Sequence, residues 1–260
     1  MRDRYLPRLV AVASLLAVAV LLSGCGVFSG PQNTFSPAGT VAKDQKNLFL
    51  FTMWPALLIL ILVEGMLLFI LIRFRRRKND PGLPPQTHGN NALEIGWTIA
   101  PVLLLAFFVP PTISGIVHLG KVPKDAMHVE VVGHQWFWEF DYPDPAGGSP
   151  IQAPFGELHV PVNRDIGFTL TSPDVIHSFW MPKLAGKTDV IPGRQNHMWI
   201  KATQIGTFHG QCAEFCGLDH AQMKFIIVVQ SQEDFDAWLK QQAIAQGGGT
   251  QAALALHGVQ

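Results

Sequence analysis

Two long apolar runs, Leu48–Phe74 and roughly Ile95–His118, flank a short polar stretch. Each is long enough to cross a hydrocarbon core of about 30 Å. Within lipid the backbone must satisfy its own polar groups, so runs of this kind read as helices. The chain is thereby committed to a membrane hairpin whose two ends lie on the same side. Arg73, Arg75, Arg76, Arg77 and Lys78 close the first run and place that end in the cytoplasm. Asn79–Asn91, with its prolines and glycines, reads as a cytoplasmic loop. Pro101 and the pair Pro110-Pro111 are expected to kink or break the second span. Glu64, inside the first span, should face protein or water. Glu94 sits at the cytoplasmic mouth of the second, where a carboxylate suits a positive helix N-terminus.

Arg2, Arg4 and Arg8 precede a further apolar run, Leu9–Leu22, which ends in Leu22-Ser23-Gly24-Cys25. Residues 1–24 have the layout of a secretory signal. The ending resembles the bacterial lipoprotein cleavage box, with Cys25 as the lipidated new N-terminus. Residues 25–47, rich in Gly, Ser, Pro and polar groups, read as an exposed linker.

Only 15% of the residues are charged, against about 25% in ordinary soluble domains. The formal neutrality hides an asymmetry. Residues 1–118 carry ten Lys/Arg and five Asp/Glu, whereas residues 119–260 carry nine and fourteen. The second half therefore favours a cationic partner and disfavours nucleic acid. Three cysteines give no disulfide framework.

Residues 119–240 change character. Met127–Tyr142 reads as a strand, and Leu158–Val160, Ile166–Thr171, Asn196–Ala202 and Phe225–Gln230 are further short candidates separated by turn signals. Strands at this spacing point to a β-sandwich or barrel. Glu233–Lys240 should be a short helix, and residues 241–260 a mobile tail.

Between the strands lies Gln211–Met223, Gln-Cys-Ala-Glu-Phe-Cys-Gly-Leu-Asp-His-Ala-Gln-Met. Cys212, Cys216, His220 and Met223 make a compact loop of soft ligands. A Cys212–Cys216 disulfide would leave His220 and Met223 without a purpose. Structural zinc makes poor use of methionine. A mononuclear blue-copper site has one thiolate too few for this loop. A two-copper site uses every donor: bridging thiolates, one histidine per metal, and Met223 with a backbone carbonyl as weak ligands. Spacing alone does not select the second histidine from the ten in the chain.

Cys212–Met223 resembles the copper A loop of subunit II of haem–copper cytochrome c oxidases. His177–Pro182, Gly186–Arg194, Gly133–Trp138 and Glu94–Pro101 resemble other signatures of that family. The resemblance runs from about residue 45 to 240. It implies a two-helix transmembrane hairpin followed by an all-β cupredoxin-like (Greek-key barrel) domain on the outer side of a bacterial plasma membrane. It implies that Cys212 and Cys216 bridge two copper ions, that His177 and His220 each bind one, and that Met223 and the Glu214 carbonyl are weak ligands. The Glu214 side chain would reach a magnesium ion at the boundary with subunit I. Trp136 would be the exposed tryptophan that receives the electron from cytochrome c, while Trp138 packs. Glu94 would stand at the mouth of a proton-uptake path. Asp174 would belong to an acidic docking rim, although Pro173 stands where that family commonly has an acidic residue. No Cys-x-x-Cys-His occurs, so the chain carries no fused c-type haem.

The implied function is an electron relay from cytochrome c to haem in subunit I, acting with the other oxidase subunits and inactive alone. A membrane-anchored copper carrier would not need Glu94, Trp136 or the Glu214 carboxylate. A quinol oxidase subunit would lack the copper ligands. A related nitric oxide reductase with a copper A subunit differs in its catalytic subunit.

Overall fold

The computed structural model describes residues 6–22, 30–76, 82, 86, 88–145 and 147–256. Cys25 lies outside them. Helix α1 (Leu6–Leu22) is followed by α2 (Thr40–Arg73) and α3 (Asn91–Leu119). Both α2 and α3 are long and apolar enough to cross a membrane. Their exposed apolar side chains, Leu60, Ile61, Leu71, Leu103 and Phe107 among them, need lipid or another subunit as cover. The helices meet through Phe51, whose ring lies 5.3 Å from Phe107 and 5.5 Å from Phe108. Asn90 caps α3 by accepting from the Ala92 and Leu93 N–H groups.

The expected break in α3 does not occur: the helix runs through Pro101, Pro110 and Pro111. Just beyond the proline pair, Thr112 Oγ1 donates to the Phe108 carbonyl at 2.8 Å. That hydroxyl meets the carbonyl next to those of Ala106 and Phe107, the two that the missing proline N–H groups would have bonded, and membrane helices accommodate such gaps where neighbouring helices cover them.

Helix α2 begins at Thr40 rather than Leu48. Its 34 residues extend about 51 Å, so its first turns stand clear of the hydrocarbon core. The exposed linker expected over residues 25–47 therefore ends early. Ala38, Val41 and Ala42 are buried in the outer domain. The Ala38 N–H donates to the Lys183 carbonyl, and the Ala38 carbonyl accepts from the Thr203 N–H, both at 2.8 Å. Small residues allow this close docking, and a composition that reads as linker conceals it. At the outer end of α3, the His118 ring meets Trp199 edge-on at 5.8 Å. The outer domain is thus seated on one end of the hairpin, and Arg73, Arg75 and Arg76 mark the other.

The outer domain has ten strands: β1 (Met127–His134), β2 (Phe137–Tyr142), β3 (Ile151–Gln152), β4 (Glu157–Pro161), β5 (Asp165–Thr171), β6 (His177–Trp180), β7 (Lys187–Val190), β8 (Asn196–Lys201), β9 (Gly206–Cys212) and β10 (Lys224–Gln230). They form two five-stranded sheets, ordered β3-β2-β1-β5-β8 and β4-β10-β9-β6-β7. This is the cupredoxin-like barrel expected from the sequence. Strand alternation turns one face of each sheet inward. The shared core holds Trp138, Phe140, Phe168, Phe179 and Phe225. Phe179 stacks on Phe225 with centroids 4.7 Å apart, tying β6 to β10.

Met127–Tyr142 is two strands, not one. It reverses at Gln135-Trp136, pairing His134 with Phe137. That two-residue turn contains no Gly, Asn or Asp, the usual hairpin signal. The tail also departs from expectation. Helix α4 runs from Gln232 to Leu256; its first four turns are rich in good helix formers, and it continues through Gly247-Gly248-Gly249 against their low propensity. Gln246 accepts from the Gln152 N–H and donates to the Gln152 carbonyl, docking α4 on the edge strand β3.

Candidate metal centre

The potential ligands come from two strand ends and the loop between β9 and β10. His177 opens β6, Cys212 closes β9, and the loop returns through a single 3-10 turn at His220–Gln222. Antiparallel pairing of Phe179 with Cys212 brings the two strands into register. The Met223 carbonyl accepts from the Cys212 N–H at 2.9 Å and closes the base of the loop.

The structure brings together the donors of the Gln211–Met223 loop and His177, the histidine that the family resemblance implies. The sulfurs of Cys212 and Cys216 lie 3.9 Å apart. His177 Nδ1 is 3.9 Å from the first sulfur and His220 Nδ1 is 3.5 Å from the second. Met223 Sδ lies 3.6 Å from Cys216 Sγ, and the Glu214 carbonyl oxygen 3.2 Å from Cys212 Sγ. Both cysteines are free and buried. A disulfide bond is close to 2.05 Å long, so this pair is not bridged. Two buried sulfurs, the buried His177 ring, the half-buried His220 ring and a thioether in one cluster fit copper.

Electrostatics point the same way. Burial pushes the Cys212 thiol up, but hydrogen bonds from the His177 ring and the surrounding backbone outweigh it and bring it down to about 6. Burial pushes Cys216 up too, and the charge on Cys212 pushes it further, to about 12. Two thiolates at this separation are stable together only with positive charge between them. A bound metal supplies that charge and deprotonates its thiol ligands outright.

His177 is fully buried, and its orientation is fixed from behind. Its Nε2 bonds Asp174 Oδ1 at 2.9 Å, which turns Nδ1 toward the sulfurs. Histidine ligands held by a carboxylate are a recurrent metal-site device. Partial burial pushes the Asp174 carboxyl up, but hydrogen bonds from His177, the Val175 and Gln135 N–H groups and Ser172 hold it at about 2. Asp174 is thus more than a rim residue, because both its oxygens are engaged internally. Asp174→Asn should weaken copper binding about ten- to a hundredfold, the usual cost of losing such a partner, as measured by competition with a copper chelator.

Trp136 lies directly over the loop, half-buried, with Nε1 donating to the Cys216 carbonyl at 3.2 Å. Trp138 is fully buried in the aromatic core. The Glu214 side chain is exposed on the outward side of the loop. Glu94 is exposed in the first turn of α3, at the end of the hairpin remote from the cluster. Gln135 and the orienting role of Asp174 are not apparent from spacing, because both act through contacts between separate strand ends.

The fold and the cluster define a class: a membrane-anchored cupredoxin-like domain with a sulfur-rich, copper-type centre. The family model for the cytochrome c oxidase subunit II transmembrane domain matches residues 31–113, and that for its periplasmic domain matches residues 155–231. Cytochrome c oxidase subunit 2 of Alkalihalophilus pseudofirmus is 35% identical over 246 residues, covering 92% of this chain and 68% of that protein. A probable cytochrome c oxidase subunit 2 of Rickettsia bellii is 32% identical over 235 residues, covering 84% and 87%. The crystal structure of the periplasmic domain of subunit II of cytochrome oxidase of Bradyrhizobium japonicum is similar at 37% identity and a TM-score of 0.44, covering 47% of this chain and 97% of that one. The chain belongs to the cytochrome c oxidase subunit II family.

Proposed function

We propose that this chain receives electrons from a c-type cytochrome at a two-copper centre and delivers them to haem in a partner subunit that reduces oxygen to water. The observation that carries the reading is the gathering of Cys212, Cys216, His177, His220, Met223 and the Glu214 carbonyl around two sulfurs 3.9 Å apart. The copper pair, when bound, supplies a one-electron carrier whose charge change is shared between two metals, so little bonding rearranges. The buried protein shell keeps water from its ligands, and Asp174 holds the His177 ring in place.

Trp136 is the site where the electron enters. Its indole is partly exposed and hydrogen-bonded to the carbonyl of a bridging cysteine, so it joins the surface to the centre. A copper carrier has no use for such a contact. On the same hairpin, the outward face of the first sheet is acidic: Glu130 pairs in register with Asp141, and Glu139, paired with Val132, sits two residues along on the same face. Burial, together with Glu139 and Glu130, raises the Asp141 carboxyl. This face suits a cationic cytochrome and steers its approach. The basic loop puts the hairpin turn in the cytoplasm and the outer domain on the periplasmic side of a bacterial plasma membrane. Glu214, whose side chain is exposed, would hold a magnesium ion at the boundary with subunit I. Glu94 sits where a proton-uptake path of the partner would open, and Cys25 is the site of lipidation.

The test is isolation of the chain from native membranes under mild detergent. A haem-bearing subunit should accompany it, and the complex should oxidise cytochrome c. Recovery of the chain without any haem protein would refute the proposal.

A further inference from the structure

Two donors from the tip of the β1–β2 hairpin converge on one backbone oxygen of the metal loop. Gln135 Nε2 donates to the Cys216 carbonyl at 2.7 Å, and Trp136 Nε1 donates to the same oxygen at 3.2 Å. The Gln135 backbone N–H donates in turn to Asp174 Oδ2 at 2.7 Å. The other oxygen of that carboxylate holds His177. The tip is therefore tied to both sides of the cluster, to Cys216 through its side chain and to His177 through its main chain.

The loop is shaped to receive these donors. Gly217, which follows the shared carbonyl, has φ +123°, and a Cβ there would lie 3.0 Å from Gln135 Nε2 and 3.1 Å from Trp136 Nε1. Glycine alone gives both the conformation and the room. Of the two bonds, the amide's is the shorter. Without it the carbonyl keeps only the longer indole contact, and the Cys216–Gly217 peptide can move against the tip. That motion would alter both the set of the Cys216 sulfur and the contact that joins Trp136 to it.

We propose that Gln135 is a positioning residue for electron transfer, fixing the Cys216 carbonyl so that the Trp136 indole and the Cys216 sulfur keep one relative geometry. The inference rests on the copper reading above. Gln135 carries no electron. It acts through the peptide it holds.

The experiment uses the full chain in its assembled oxidase, with Gln135→Met (similar length, no donor) and Gln135→Glu (similar shape, an oxygen facing an oxygen). Three quantities are read: kcat and KM for cytochrome c, the copper hyperfine pattern, and, in the metal-free full chain, hydrogen exchange at the His220 amide, which donates to the Gly217 carbonyl at 3.2 Å. Both variants should lower kcat roughly tenfold with KM within about twofold and should change the hyperfine pattern. Exchange should rise about three- to tenfold, the worth of one hydrogen bond. A rise in KM with kcat and spectrum unchanged would make Gln135 a donor-contact residue and overturn the proposal. Unchanged exchange would overturn it as well, including in variants that lose copper. A wild-type chain that binds no copper pair would refute the copper reading instead, a failure visible before any variant is made.

Discussion

Replacing Cys212 or Cys216 by serine should cut cytochrome c oxidation by the assembled complex about a hundredfold or more, while the chain still inserts and folds. The expectation follows from the ligand arrangement. Loss of an outer partner of a metal ligand costs about ten- to a hundredfold, and losing Cys212 or Cys216, the thiolates that would be shared by two coppers, would weaken the hold on both. A serine hydroxyl is a hard donor with little affinity for copper in this setting. Folding should survive because serine nearly matches cysteine in size, and the bulk of the core in which both cysteines sit is Trp138, Phe140, Phe168, Phe179 and Phe225. Steady-state oxidation of reduced cytochrome c, alongside immunoblotting of the membrane fraction, separates the two outcomes. Full turnover in either variant would show that the sulfurs are not the relay.

The two tryptophans of the β1–β2 hairpin should fail in opposite ways. Trp136→Ala removes a half-buried ring packed against the edge of the core and one hydrogen bond, so it should cost only about 1–2 kcal/mol of stability. Electron input should slow on the order of a hundredfold, about 2.7 kcal/mol of barrier, with copper content retained. Trp138→Ala empties a fully buried site that meets Phe179 and Phe225 at 5.0 and 5.7 Å. It should cost about 3–5 kcal/mol of stability. Stopped-flow reduction by cytochrome c and thermal unfolding, run on both variants, check the contrast. Equal loss of stability in the two would contradict the roles assigned.

The hairpin was legible in the sequence because lipid imposes a simple demand on composition and length. The donor cluster of the Gln211–Met223 loop was legible because few chains place two thiols, an imidazole and a thioether so close together. His177 was not selected by any local pattern. It reaches the loop only because β6 pairs with β9, and β6 is a four-residue strand between Pro173-Asp174 and Pro182, too short to show alternation. The turn at Gln135-Trp136 was hidden for a related reason, since the aromatic run continues across it. The start of α2 was concealed by the small and polar residues that let it dock against the barrel. Asp174 resembled a surface acid, but its partners, Gln135 and His177, come from separate strand ends. What the sequence concealed was in each case a contact made across the fold.

The most direct test is to count copper in the purified full chain and record its electron paramagnetic resonance. About two copper ions per chain are predicted, with hyperfine structure from one electron shared over both nuclei. One copper per chain with the pattern of a single nucleus would contradict the account.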